Sequence, residues 1–384
     1  MSLYQALCQR SDIVPETAEI AVVRALGAKH VNLSTPRITA EAQLPEHVDV
    51  LDRAIQWAQR QVGKGGNRKL VATRAVERLA LEFARDLLEV VDGSVSLEVD
   101  GRLAFKRRAI IERARVMLDQ LAEAGIDKER ILLKIPATWE GIEAARKLKD
   151  KNGARCHMTL VFGLHQLAAC ADAGASVIAP AVGRITDFHK KQDGVEGYAP
   201  DADPGVLAVR RMLAYLAAHH PETRLMASTF RSPEQASALA DCPLLCLPPK
   251  IIEELQASEA PVLDLPPVDV PERLSIDQAA FQKLHAADAL AQSKLASAVQ
   301  NLSWAYVSQE KQLVEWIAKR QDEAAESSTL ALFRIWDYDG DGFIDREEWN
   351  GTEEVFNALD RDNNGRISLE EMAAGLGAPY RPEE

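Results

Sequence analysis

Eight short apolar segments alternate with longer amphipathic ones across the first 260 residues, and few folds accommodate that rhythm. The segments are DIVPE (12–16), HVNLS (30–34), SVSLEV (94–99), ILLKIP (131–136), RCHMTLV (155–161), SVIAPAV (176–182), RLMASTF (224–230) and LLCLPP (244–249). Several are near-continuous apolar runs, as strands buried on both faces of a parallel sheet are. Between them, 70–91, 109–125 and 138–148 repeat apolar residues every three or four positions, the spacing of a helix with one buried face. Gly125 and Gly174 fall where a helix C-cap belongs. Strand–helix alternation counted eight times predicts an α/β protein of the TIM type, a closed eightfold β/α barrel. An open doubly wound sheet is the alternative, but no GxGxxG follows the first segment and no GxxxxGK occurs.

A barrel of this kind carries its chemistry at the C-terminal ends of its strands. The polar residues there are Glu16, Ser34, Glu98, Lys134, Thr159, Arg184 and Arg231. Lys134 is the sharpest of them, because it interrupts Ile131-Leu132-Leu133 and is followed by Ile135-Pro136. Desolvation disfavours an ammonium, so a lysine in such a strand can offer a neutral amine for Schiff-base attack on a carbonyl. The competing reading is a lysine that snorkels from the strand end or pairs with an acid. Glu98 and Asp100 alternate with Leu97 and Val99 and so share one strand face. Glu98 could handle protons there, whereas Asp100 and Arg102 read better as a structural ion pair. Arg184 and Arg231 either clamp a phosphate or form rim salt bridges.

The C-terminal region is different in kind. The whole chain carries a formal charge of −13, of which −9 lies in residues 328–384. Such a shift marks a boundary, placed near residue 325: a barrel over 1–325 and a small domain over 326–384. QDEAAESSTL (321–330) reads as a polar linker or the start of a helix. In DYDGDGFIDREE (337–348), oxygen donors recur at the first, third, fifth, ninth and twelfth positions: Asp337, Asp339, Asp341, Asp345 and Glu348. Gly342 permits the sharp turn and Phe343 offers its carbonyl. DRDNNGRISLEE (360–371) repeats the pattern with Asp360, Asp362, Asn364, the Arg366 carbonyl, Ser368 and Glu371. Ca2+ takes six to eight hard oxygens at flexible distances, and this spacing wraps them round one ion, so the region is an EF-hand pair. Ile344 and Ile367 occupy the positions that join paired loops by a short β-bridge. Only 11 residues (349–359) separate the loops, which predicts a compact pair bent at Asn350-Gly351. Loop two has three carboxylates against five in loop one and should bind more weakly.

The acidic balance argues against a nucleic-acid partner, and no run approaches the ~18–20 apolar residues of a membrane span. Five scattered cysteines fit neither a redox motif nor a zinc knuckle, and no secretory leader is recognisable. A cytoplasmic location is expected. The sequence does not fix the oligomeric state; a homodimer is one option.

Several stretches resemble the transaldolase family, the Schiff-base aldolases of the pentose phosphate pathway. They are SLEVDGRLAF (96–105), RILLKIPATWEGI (130–142), APAVGRITDFHK (179–190), YAPDADPGV (198–206) and MASTFR (226–231). The segment FQKLHAADALAQSKLASAV (281–299) is similar to the family's C-terminal helix, which closes over the barrel mouth. The resemblance implies that Lys134 is the Schiff-base lysine and that Glu98 and Thr159 hold the water used to make and hydrolyse the imine. It also implies that Arg184 and Arg231 bind phosphate. The expected reaction moves a dihydroxyacetone unit from a ketose phosphate, sedoheptulose 7-phosphate or fructose 6-phosphate, to an aldose phosphate, with no catalytic cofactor. Some positions depart from the family pattern. The strand-one aspartate falls on Glu16. The strand-two asparagine falls on Ser34, with Thr35 the neighbouring choice. The strand-five asparagine is His157, and a serine and an aromatic residue of strand six are Ala179 and Ala181. These changes leave open a repacked transaldolase, an aldolase of another substrate, or an impaired paralogue that senses sugar phosphate and calcium.

Overall fold

The computed structural model describes residues 1–63, 67–337 and 339–377, without the side chains of 321–327. All eight expected strands form: β1 (Asp12–Pro15), β2 (Val31–Asn32), β3 (Val95–Glu98), β4 (Ile131–Pro136), β5 (Cys156–Val161), β6 (Val177–Pro180), β7 (Arg224–Ala227) and β8 (Leu244–Leu247). They are parallel, in the spatial order β1-β8-β7-β6-β5-β4-β3-β2. β1 and β2 lie side by side without a ladder between their described residues, so the barrel is nearly closed. Helices follow the strands, and Gly125 and Gly174 take left-handed φ values of +69° and +75° just past helix ends.

Period-two alternation determines what fills the lumen. Val14, Leu132, Val177, Ala179, Met226, Leu244 and Cys246 form a buried cluster inside the barrel. Two residues beyond Leu132, on the same strand face, stands Lys134; the same step from Val14 and Met226 reaches Glu16 and Ser228. The apolar layer is therefore the floor beneath a polar one.

Contacts divide the chain into two units, Met1–Gln61 with Thr73–Gln309, and Val62–Ala72 with Glu310–Glu384. The segment resembling one C-terminal helix is instead broken at Asp288, between helices Gln278–Ala287 and Ala289–Trp336. Asp288 is extended (φ −101°, ψ 94°), and its Oδ1 accepts the Ala291 N–H at 2.9 Å. A short carboxylate that caps the next turn competes with helix continuation here. Residues 321–330 are neither linker nor helix start, because they lie inside the 48-residue helix Ala289–Trp336. Within the second unit, β9 (Phe343–Ile344) pairs antiparallel with β10 (Ile367–Ser368), and Ile344 faces Ile367 as expected. Phe333, Ile344, Phe356, Leu359, Ile367 and Met372 make its core. Among the described residues, no helix is long and apolar enough to cross a membrane.

Candidate active site and metal loops

The polar layer opens into a cavity of about 200 Å3 at the C-terminal ends of the strands. Its wall includes Glu16, Asn32, Ser34, Glu98, Lys134, His157, Thr159 and Arg184, one or two from each of six strand ends. Strand register explains the gathering: Glu98 lies opposite Lys134, Lys134 opposite His157, and Pro136 opposite Thr159. Ala298, Asn301, Leu302 and Ala305 of the C-terminal helix cover the mouth. That helix is seated by Ala291, Leu295, Ala298 and Val299 against Leu160, Phe162 and Ala181.

Lys134 is 4% exposed and well provided with partners. Its Nζ donates to the Leu33 carbonyl at 2.7 Å and to Asn32 Oδ1 at 3.3 Å, and it lies 3.3 Å from Glu98 Oε1. The other oxygen of Glu98 accepts from the Thr35 N–H (2.9 Å) and hydroxyl (2.8 Å). An amine of this kind is aimed by several acceptors, and the carboxylate beside it can take a proton from it without leaving the cavity. Asn32, which sequence reasoning passed over, bridges Lys134 and the buried Cys246, whose thiol accepts its N–H at 3.4 Å. Burial pushes the Cys246 thiol up, and the carboxylate of Glu16 adds to the effect. Period-two alternation from Ser34 would have pointed to Asn32. Ser34 lines the cavity, while Thr35 holds Glu98.

His157 is fully buried; burial and the charge of Lys134 hold it well below the usual imidazole range. Arg184 borders the cavity, its pKa lowered by burial and by Arg231 and partly restored by Glu16 and Asp187. Arg231 sits farther out, its side chain 47% exposed and paired through Nη2 with Asp187 at 2.8 Å. The backbone beneath Arg231 is tied into a hydrogen-bond network. Its N–H donates to Gln235 Oε1, and Gln235 and Thr186 both donate to Asp203, which also caps the helix Pro204–His219. Asp100 receives Arg102 through a two-pronged contact at 2.7–3.0 Å, the structural pair expected. Two residues at the cavity, Leu160 and Thr229, adopt left-handed φ values of +61° and +60°. Such backbone costs about 1–3 kcal/mol each and concentrates where a fold must aim groups at a ligand.

In the second unit, Gly342 (φ +85°) and Gly365 (φ +86°) make the loop turns, which only glycine adopts without strain. Carboxylate oxygens of Asp337, Asp339 and Asp341 converge, as do those of Asp360, Asp362 and Glu371. Glu348 accepts the N–H groups of Asp339 and Asp345, each at 3.0 Å. Burial works against the charge of Glu371, but hydrogen bonds from Ser368, Asp362 and Arg361 bring its carboxyl below the ordinary value. Asp337 Oδ1 is buried without a hydrogen-bond partner among the described residues. A bare carboxylate oxygen among others is what a hard cation satisfies, so the residues fit Ca2+. Asp337, Asp339, Asp341, Asp345, Glu348 and the Phe343 carbonyl would hold one ion. Asp360, Asp362, Asn364, Ser368, Glu371 and the Arg366 carbonyl would hold the second.

A parallel barrel with a buried lysine and carboxylates converging on the C-terminal mouth has the build of a TIM-barrel enzyme. Residues 33–313 match the transaldolase/fructose-6-phosphate aldolase family, and 330–351 and 352–376 match the EF hand. The chain is 40% identical to a transaldolase of Gloeobacter violaceus and 37% identical to one of Thermosynechococcus vestitus, with 98% of each chain covered in both comparisons. A transaldolase of Methylococcus capsulatus is 38% identical over 83% of this chain and 98% of its own. The chain belongs to the transaldolase family, as a transferase of the transaldolase type with an EF-hand pair in its C-terminal region.

Proposed function

We propose that the protein passes a dihydroxyacetone unit from sedoheptulose 7-phosphate or fructose 6-phosphate to an aldose phosphate, through a Schiff base on Lys134. The observation that carries this reading is the seat of Lys134, a buried amine on the cavity wall, with Glu98 3.3 Å away and Thr159 lining the same cavity. The amine in its neutral form adds to the C2 carbonyl; loss of water then gives the protonated imine. Glu98 and Thr159 hold that water, and Glu98 is the nearest carboxylate to receive the amine's proton. Glu16 takes the C4 hydroxyl proton, the C3–C4 bond breaks, and its electrons move onto the imine to give an enamine. The aldose leaves, the enamine adds to the aldehyde of the acceptor, and water releases the product. Ser34 and His157 contact the sugar, and Arg184 and Arg231 face its phosphate.

The EF-hand pair, functionally 326–384, binds calcium, and the barrel through residue 325 performs transfer. A reducing cytoplasm is supported by five unpaired thiols. The test of the reading is borohydride trapping with fructose 6-phosphate, coupled to transfer to erythrose 4-phosphate. We expect one adduct, on Lys134, and none on Lys134→Ala. An intact, folded protein that forms no adduct would sink it.

A further inference from the structure

A second cavity, of about 380 Å3, lies outside the barrel, and every residue that lines it belongs to one of two neighbouring helices, Arg107–Glu123 and Trp139–Asn152. It shares no residue with the lysine cavity. Eight of its nine lining residues are charged, five cations against three carboxylates, and the ninth is Ile111. In a chain with a formal charge of −13, this groove is a local reversal of sign.

Helical geometry explains how the charges meet. Arg108, Ile111, Glu112 and Arg115 recur at the spacing of one helix face, and so do Glu143, Arg146, Lys147 and Asp150. Each helix buries a different stripe, Ile110, Ala114 and Met117 on the first and Ile142, Ala145 and Leu148 on the second. Spacing also offers the charges to one another: Arg108 and Glu112 stand four residues apart, as do Glu143 and Lys147. Neither of these pairs closes. Glu143 pairs instead with Arg146 at 3.2 Å, while Arg107, Arg108, Arg115 and Lys147 have no hydrogen-bond or ion-pair partner among the described residues. Exposed ion pairs stabilise a helix little, so these cations lose little by staying open. A phosphate offers each of them a shorter, charge-assisted bond.

The arrangement sets the shape of the ligand. Arg107 and Arg108 stand in the first turn of their helix and Arg115 two turns later, about 10 Å along the axis, with Glu112 between them. Lys106 caps that helix without a side-chain bond, so the first-turn N–H groups favour an anion at the same end. Two cationic ends with a carboxylate between them match a chain of hydroxyls that carries a phosphate at each end. The cations take the phosphates, and the carboxylates accept the hydroxyls. No aromatic residue lines the groove to stack a base, which disfavours a nucleotide. We propose that the groove between these two helices is a second ligand site, specific for a polyol bisphosphate. The inference does not depend on the sugar-transfer reading of the barrel.

The test is methyl NMR on the full chain in the presence of a calcium chelator. The probe is mannitol 1,6-bisphosphate, which has no carbonyl to react with Lys134. Ile111 is assigned by loss of its signal in Ile111→Val, and no isoleucine lines the barrel cavity. At about 0.15 M salt the Ile111 methyl should shift saturably. Inorganic phosphate, which reaches one end only, should bind at least about tenfold more weakly. Arg115→Glu, and Lys147→Glu as an independent variant, should each weaken the bisphosphate about 10–100-fold. Arg231→Ala, altered at the barrel mouth, should bind it as the wild type does. The proposal is overturned by no saturable shift, by equal affinity for phosphate and bisphosphate, or by full affinity in both charge-reversed proteins when circular dichroism shows them folded. Binding that disappears in Arg231→Ala would place the probe in the barrel and overturn it too. The borohydride result at Lys134 bears on the barrel alone.

Discussion

Each metal loop collects its donors from twelve consecutive residues, whereas the barrel cavity draws on side chains from Glu16 to Ala305. The two regions therefore answer to different constraints. In a loop, spacing along the chain is geometry: one glycine turn places every ligand, and β9–β10 fastens the two loops together. In the barrel, each strand end supplies only one or two of the cavity residues. Strand register sets Lys134 between Glu98 and His157, and a helix some 160 residues downstream lines the same cavity. Local sites tolerate distant change, while dispersed sites tie function to the whole sheet.

The sharpest way to break that contrast is at Lys134. Lys134→Ala should cost roughly 10^4–10^6-fold in transfer, as loss of a nucleophile does, with calcium binding unchanged; isothermal calorimetry beside the coupled assay reads both. Glu98→Gln keeps the shape but removes the proton acceptor, and should lower kcat about 10^2–10^4-fold while the Thr35 contacts persist.

Stability distinguishes the regions next. Glu77, 5% exposed, has its carboxyl raised by burial to about 7, opposed by Arg113 and Arg74 and aided by Asp100. The folded state thus binds a proton that the unfolded chain releases near pH 4.5, so this group favours folding at low pH. Its contribution should fall by up to roughly 3 kcal/mol as pH rises from about 4.5 to 7, and level off above that. Glu77→Gln should flatten that part of the profile, measured as denaturation midpoint against pH.

Much of this was open to reading from the chain. Lys134 stands out because it is a charge among five apolar neighbours, though spacing alone left a nucleophile and an acid-paired lysine both open, and the loops show because their code is linear. Asn32 did not show, since β2 is two residues long and HVNLS offers three polar residues of the same parity, His30, Asn32 and Ser34. The choice between them depends on which reaches Lys134, and that is a fact about β4. The break at Asp288 was hidden by apolar periodicity on both sides, although an aspartate capping the third residue onward is a legible signal once suspected. The left-handed backbone at Leu160 and Thr229 carries no sequence mark at all, because neither residue favours it.

Three smaller effects sharpen the loop half. Glu348→Gln should weaken calcium binding at loop one about 10–100-fold and leave transfer within error; a matched loss of transfer would erase the distinction between local and dispersed sites. Loop two should be the weaker site by calorimetry. Arg366 of that loop reaches Asp341 of loop one at 3.3 Å, so Arg366→Ala should tighten loop one by a few-fold at most, an exposed ion pair being worth little.

The carboxylate at Asp288 also fixes phase. A helix turns about 100° per residue, so the point at which it starts decides which side chains look down and which look out. Moving that start by a single position would swing Ala298, Asn301 and Ala305 away from the lysine chamber and present their neighbours instead. The ceiling of the cavity is thus timed from a cap ten residues before its first tile, as a thread is timed by its first turn.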